Sequence, residues 1–386
     1  MRVWSKALAV VATSGVLALT GRVSAQATPE PRRLQFDLRI PADPGGEAAF
    51  TSVSDIATNR NGDIFVLLPD DRSVQVFDRQ GRKLRSIGRD GEGPGEFRWP
   101  MALGFRADTL WVWDPTLARL TLSRMDGVFI RSIPVGTIGS ARLLIDGSIA
   151  VKRYNDNALT VGASGRLSAP ILRYSDVGVI LDTLADPAVH RSSYMVISTG
   201  RGTAQAAQPF SDGPLWGMIP DGSGVVVVDR RTATRPGAAT YRVTRINVAG
   251  DTAFSREFPY TAAPVPPAVL EGVVSDWVER IARSAPAGGT SIRPDRDAIK
   301  RAINLPTTMA AVSAVAIGDD GTIWVRREEP APTSQARWDV IRRDGQSVTV
   351  VAGPRALQIF RANAAAAWGI ERDADGAVSV VRYLVR

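Results

Sequence analysis

The chain has 386 residues, 44% of them hydrophobic and 22% charged, with a formal net charge of +8 and a sequence pI near 10.2. That length suits two ordinary domains or one large repeat fold, and the apolar fraction is that of a folding chain. There is no cysteine and one histidine, His190, which excludes disulfides, zinc-finger and iron–sulfur sites, cysteine nucleophiles and multi-histidine metal centres, and leaves any Ser-His-Asp triad to run through His190 alone.

Residues 1–25 read as an export signal. Arg2 and Lys6 give a positive start, Ala7 to Leu19 is an apolar run, and Val23-Ser24-Ala25 supplies small residues for cleavage before Gln26. The run is shorter than the roughly 20 apolar residues of a spanning helix. No later stretch qualifies as a span, so a periplasmic or secreted protein is expected. The signal holds three of the 47 basic residues and no acid, leaving 44 against 39 and a net charge of +5. Only four of the bases are lysines. They are scattered along the chain rather than gathered into a stripe, so nucleic acid is not the expected partner.

After a linker, 26–33, a lone apolar strand is predicted at Leu34–Ile40. A two-hairpin pattern then repeats. The first hairpins fall at 54–68, 101–113, 141–153, 216–228 and 315–327, and the second at 74–87, 120–133, 171–184, 243–258 and 338–351. Alternating apolar residues flank polar or Gly-containing turns, with Gly81, Gly127, Gly178, Gly250 and Gly345 turning the second set. Four strands at a period of roughly 45 residues is the content of a β-propeller blade. Three more strands are expected near 356–360, 365–372 and 378–385, with Leu34–Ile40 as their missing fourth partner. A ring closed this way hides its edges. The expected fold class is therefore all-β: a six-bladed propeller of four-stranded antiparallel blades, 34–386, closed by the N-terminal strand and expected as a monomer.

One segment interrupts the repeats. In 262–305, Pro266 and Pro267 suit a helix start, and Val269, Leu270, Val273, Val274, Trp277, Val278 and Ile281 recur at helical spacing. A second short helix is expected between Pro294 and Ile303. This helical insertion reads as a cap over one face of the ring, or as a lid or docking helix.

Between the first two units the chain reads Ile87-Gly88-Arg89-Asp90-Gly91-Glu92-Gly93-Pro94-Gly95-Glu96-Phe97-Arg98-Trp99-Pro100, followed by Leu110-Trp111-Val112-Trp113-Asp114. It resembles the NHL-repeat signature, and the wider organisation is similar to the exported six-bladed propellers of bacteria. No phosphate is needed to explain the glycines, which serve turn geometry, and a phosphate loop would need a following helix and Lys-Ser/Thr.

Candidate binding residues follow from equivalent propeller loops sharing a face: Arg89, Glu92, Glu96, Arg98, Trp99, Arg119, Trp216 and Trp368. Aromatic and arginine side chains there could grip a protein or small ligand. Trp111, Trp113, Trp324 and Trp338 lie within strands and are expected to pack between blades. His190 sits beside Ser192 and Ser193 in a long connection and reads as a surface residue. The turns Asn59–Asp63 and Asp319-Asp320-Gly321 offer oxygens to calcium but fit turn chemistry equally well. The expected function is a non-enzymatic recognition scaffold with no cofactor. The alternative is a hydrolase similar to the calcium-dependent propeller lactonases and gluconolactonases, although the predicted inner strands carry mostly Ala, Gly, Ser and Met, with Asp55 the clearest acid.

Overall fold

The computed structural model describes residues 31–41, 50–135, 139–153, 160–161, 167–168, 170–188, 194–199, 202–283, 295–329, 334–346 and 348–386. The predicted export signal and His190 lie outside the described residues. The first strand, β1, spans Arg32–Ile40, starting two residues earlier than predicted.

Four sheets repeat one plan, four antiparallel strands in chain order. They are β2 (Asp55–Thr58), β3 (Ile64–Leu68), β4 (Ser73–Phe77) and β5 (Lys83–Ile87); β6 (Ala102–Arg106), β7 (Thr109–Asp114), β8 (Arg119–Arg124) and β9 (Phe129–Pro134); and β10 (Gly139–Leu143), β11 (Ile149–Arg153), β14 (Ile171–Tyr174) and β15 (Ile180–Ala185), with a short ladder, β12 (Thr160–Val161) and β13 (Leu167–Ser168), between the second and third. A hairpin, β16 (Tyr194–Thr199) and β17 (Gly202–Ala207), precedes the fourth sheet, β18 (Leu215–Met218), β19 (Gly224–Asp229), β20 (Gly237–Asn247) and β21 (Thr252–Ala262). The helices α1 (Pro267–Arg283) and α2 (Arg296–Ala302) follow, and then β22 (Val312–Ile317), β23 (Ile323–Arg327), β24 (Gln335–Ile341), β25 (Val348–Pro354), β26 (Gln358–Ala362), β27 (Ala366–Arg372) and β28 (Val378–Val385).

The expected six separate blades are not what forms. Four four-stranded blades are present, and all remaining propeller strands make one eight-stranded sheet, in the order β22-β23-β24-β25-β1-β28-β27-β26. The cause is the length of β1. Its residues Leu34 to Ile40 pair antiparallel with β28, as the missing-partner argument anticipates, but Arg32 and Arg33 run on and pair parallel with Val351 and Ala352 of β25. Two edges that would each face water are thereby joined through a single strand. The approach is close: a Cβ on Gly353 would stand 2.6 Å from Leu34 Cδ1.

The second strand of each blade is the driest. Ile64–Leu68 is buried at every position, and Trp111, Trp113 and Trp324 are among the largest fully buried side chains. These β-branched and aromatic residues fill the space between neighbouring sheets, where burial of apolar area dominates stability. Trp338 is buried as well, so all four strand tryptophans pack as expected. The five second-hairpin glycines adopt φ of 71–94°, as their turns demand.

The insertion folds as predicted in type. Asp295 caps α2 by accepting the Asp297 N–H, and Val274 of α1 and Ile299 of α2 share a small core with Met195 of β16. The helices and the β16–β17 hairpin thus form one satellite on the ring. The hairpin was not anticipated; its signal was the run Tyr194-Met195-Val196-Ile197 ahead of Gly200 and Gly202.

Candidate functional site

The first strands of the sheets, β2, β6, β10, β18, β22 and β26, face a common axis: β10, β6, β2, β26, β22 and β18 are successive neighbours. Each runs from one mouth of the channel to the other. On β22, Ser313 stands near the first mouth and Asp319 just past the second. On β6, the 88–100 segment leads in at the first mouth, and Ala107 and Asp108 turn at the second.

At the first mouth the 88–100 segment is folded around its own charges. Glu96 accepts the Gly93 N–H at 2.8 Å and the Arg89 guanidinium at 2.8 Å, and these two contacts, the backbone one first, hold its carboxyl below the usual range. Arg119 of β8 donates to the carbonyls of Glu92 (2.9 Å), Gly93 (2.7 Å) and Glu96 (3.1 Å). Arg98 reaches Asp90 and Glu92, each at 3.3 Å. Beneath them, fully buried Asp114 accepts four backbone N–H groups. Those of Arg98 (2.7 Å) and Trp99 (2.9 Å) go to Oδ2, and those of Thr116 (3.0 Å) and Leu117 (3.1 Å) go to Oδ1.

Six of the eight candidate residues, Arg89, Glu92, Glu96, Arg98, Trp99 and Arg119, are therefore brought together. Their charged groups are engaged with one another and with the loop backbone, and the Trp99 ring is exposed beside them, together with much of Arg89 and Glu92. Trp216 and Trp368 do not join them. Trp216 is half-buried against the core shared by the second, third and fourth blades. Trp368 is buried with Ile40, Phe50 and Val380, with the Arg382 guanidinium 4.9 Å from its ring centre. Both rings pack instead of lining a loop face, because the alternation of β18 and β27 turns them toward neighbouring sheets.

Mid-channel, Asp55 of β2 is buried and accepts the N–H groups of Ile56 (2.9 Å) and Leu103 (3.1 Å). Arg361 of β26 donates to the carbonyls of Ile56 (2.9 Å) on the neighbouring β2 and Leu103 (3.2 Å) on β6 beyond it. These groups fasten β2, β6 and β26 to one another.

The second mouth opens into a cleft of about 610 Å³. Phe105, Met125 and Ile145 give it apolar walls, while Thr58, Asp319 and Arg361 supply polar atoms. Asp319 remains open to solvent, yet the surrounding walls push its carboxyl above the ordinary range, against the pull of Arg361 and Thr58. A smaller concavity of about 220 Å³ lies at the first mouth around Ser313, Arg326, Glu328 and Arg355. Burial raises the Glu328 carboxyl there, opposed by the Ser313 hydroxyl and by Arg326, Arg355 and Arg230.

Sequence reasoning missed the cleft because its walls come from turns and strand ends far apart in the chain. The turn Asn59–Asp63 folds on itself, with Asn59 Oδ1 accepting the Asn61 and Asp63 N–H groups at 2.9 Å each. Among the described residues no group of three or more His, Cys, Asp or Glu is placed to hold a metal ion. No described helix is long and apolar enough to cross a membrane.

Sheets set around an axis, with their first strands lining a channel, define a β-propeller. No family model matches the chain and no curated protein matches it, so the NHL-repeat resemblance rests on residues 87–100 and 110–114 alone. Among solved structures, the chain is similar to a member of the DUF4221 family from Bacteroides vulgatus (10% identity over 92% of this chain and 99% of that one, TM-score 0.49). It is also similar to virginiamycin B lyase from Staphylococcus aureus (11%, 91% and 99%, TM-score 0.42). A third likeness is to regucalcin, a calcium-binding protein from Agrobacterium tumefaciens (12%, 92% and 96%, TM-score 0.40). Likenesses of this size carry no argument about activity.

Proposed function

We propose that this chain is an exported, non-enzymatic recognition scaffold that seats a small ligand in the cleft at the second channel mouth. The cleft carries the reading. It is concave, has apolar walls and holds a few convergent polar groups, the usual constitution of a ligand seat. Export is supported by the residue pattern of 1–25. A calcium-dependent hydrolase would need an open set of oxygen ligands in the channel. The inner-strand acid Asp55 has both oxygens engaged by backbone N–H groups, which supports the scaffold reading over a calcium site at that acid.

The test uses purified residues 26–386. Fragment-sized aromatic compounds are screened by thermal shift against the wild type and Ile145→Ser, whose side chain is exposed, so the change spares the fold. Stabilisation lost in the variant supports the reading. Thermal unfolding is also followed with calcium and with chelator, and unchanged midpoints are expected. A large calcium-dependent rise together with lactone hydrolysis would overturn the scaffold reading.

A further inference from the structure

The cleft contains an acid that the fold does not neutralise. Asp319 follows β22, its own N–H fixed to the Ala362 carbonyl at 2.8 Å. Its Oδ2 meets only the Thr58 hydroxyl, at 3.5 Å, and among the described residues no arginine or lysine nitrogen lies within ion-pair distance of it. Nearby acids are differently placed. Asp320 accepts the Thr322 hydroxyl at 2.6 Å and the Ala364 N–H at 2.7 Å, and Asp221 accepts the Ser223 N–H at 2.8 Å and faces Arg343 at 3.9 Å.

Among the described residues three arginines line the cleft, and the two beside its polar floor are tied down, while Arg60 stands exposed at its edge. Arg361 donates to the Ile56 and Leu103 carbonyls of the neighbouring β2 and β6, and Arg106 Nε donates to the Ile145 carbonyl at 3.0 Å. Opposite the open acid stands an apolar wall of Phe105, Met125 and Ile145, of which Ile145 is 51% exposed. An unneutralised carboxylate across from a bare apolar wall matches a particular kind of molecule.

We propose that the cleft binds a small cationic amphiphile, its ammonium group on the Asp319 carboxylate and its aromatic or alkyl body against Phe105, Met125 and Ile145. This rests on the cleft being the ligand seat. Within concave walls the attraction between an ammonium and Asp319 is less screened than on an open surface. An anionic ligand would set its charge against Asp319, and a neutral one would forgo that attraction.

The experiment titrates three probes of one shape, phenethylammonium, phenethyl alcohol and phenylacetate, into residues 26–386 by NMR. It is repeated with Asp319→Asn, an isosteric change at an open side chain, and with Ile145→Ser. The expected result is that phenethylammonium binds about tenfold tighter than the alcohol, the scale of one modest charge contact. In Asp319→Asn the two should fall within about twofold of each other, and Ile145→Ser should weaken all cleft binding. Equal binding of all three probes, sensitive to Ile145→Ser, would overturn the cationic preference while leaving the cleft as the seat. Preference for phenylacetate would overturn it in favour of the arginine side of the cleft. Binding of every probe unaffected by Ile145→Ser, or no binding at all, would overturn both.

Discussion

Asp114 ends β7 and is the acid of the Val-x-Asp pattern in the NHL-like segment, and replacing it isolates what that segment does. The Asp114→Ala variant withdraws acceptors from four backbone N–H groups at once, two in the 98–99 loop and two in the 116–117 turn. Hydrogen bonds to a charged partner are worth roughly 1.5–3 kcal/mol each. The flanking Arg98, Trp99 and Thr116 are exposed, so about half of the freed donors can turn to water and the net loss should be about 3–6 kcal/mol. Against a total stability of roughly 5–15 kcal/mol that is a large fraction. Asp114→Asn keeps one carbonyl oxygen and presents an amide NH2 to the other two donors, so it should lose about 2–3 kcal/mol. Denaturant midpoints measure both, and thermolysin cleavage within 88–100 should accelerate in the same rank order. A loss below about 1 kcal/mol for Asp114→Ala would refute the assignment of Asp114 as the holder of the loop. Equal losses for the two variants would refute the acceptor count.

Other outcomes follow from the same geometry. Tyr241 donates to Asp339 at 2.9 Å beside the Arg327–Asp339 ion pair, and burial raises its phenol well above the ordinary range. Tyr241→Phe should therefore cost about 1–2 kcal/mol in denaturant melts, and a neutral result would remove the bond from the account. Arg119→Ala frees three loop carbonyls and should raise hydrogen exchange at Glu96 and Phe97 while leaving Trp113 protected; unchanged exchange would refute it. For Asp319 the folded carboxyl binds its proton more tightly than the unfolded one, so this group's contribution to stability is present below the ordinary carboxylate range and is lost as pH rises through the raised value. Asp319→Asn removes that dependence, and its melting temperature should equal or exceed that of the wild type, with the margin wider near neutrality than at about pH 3.5. A variant that is less stable at neutral pH would contradict the desolvated carboxyl.

The strands were legible because period-two alternation and turn glycines are local signals. The fused sheet was not, since Arg32 and Arg33 carry no hairpin pattern and their pairing with Val351 and Ala352 depends only on how far β1 overshoots β28. The charged loop was legible as a cluster because its members lie within a dozen residues of one another, with Arg119 added by the adjacent β8. Its engagement with itself was not, because the residue types that bind a ligand are also those that hold a glycine-rich loop in shape. Trp216 and Trp368 show the limit of placing side chains by element alone: on β18 one step along the strand exchanges a channel wall for a core, and Trp368 falls on β27, one strand outward from the channel-lining β26.

Asp319 and Arg361 were obscured for a different reason. Asp319-Asp320-Gly321 reads as turn chemistry, and Asp320 indeed serves the turn by accepting the Thr322 N–H at 3.0 Å. Its neighbour instead faces the cleft, and no sequence pattern distinguishes two adjacent aspartates with different duties. Arg361 sits in an ordinary strand sequence, Gln358–Ala362, but reaches carbonyls on β2 and β6, far away in the chain. The ring is thus fastened at two radii, by the β1 backbone near the rim and by Arg361 at the axis. The axial fastening also fixes the floor of the cleft, because a guanidinium committed to Ile56 and Leu103 acts on Asp319 only through space and cannot swing into direct contact with it without releasing β2 and β6. Closure of the fold and the open charge of the candidate site are consequences of the same side chain.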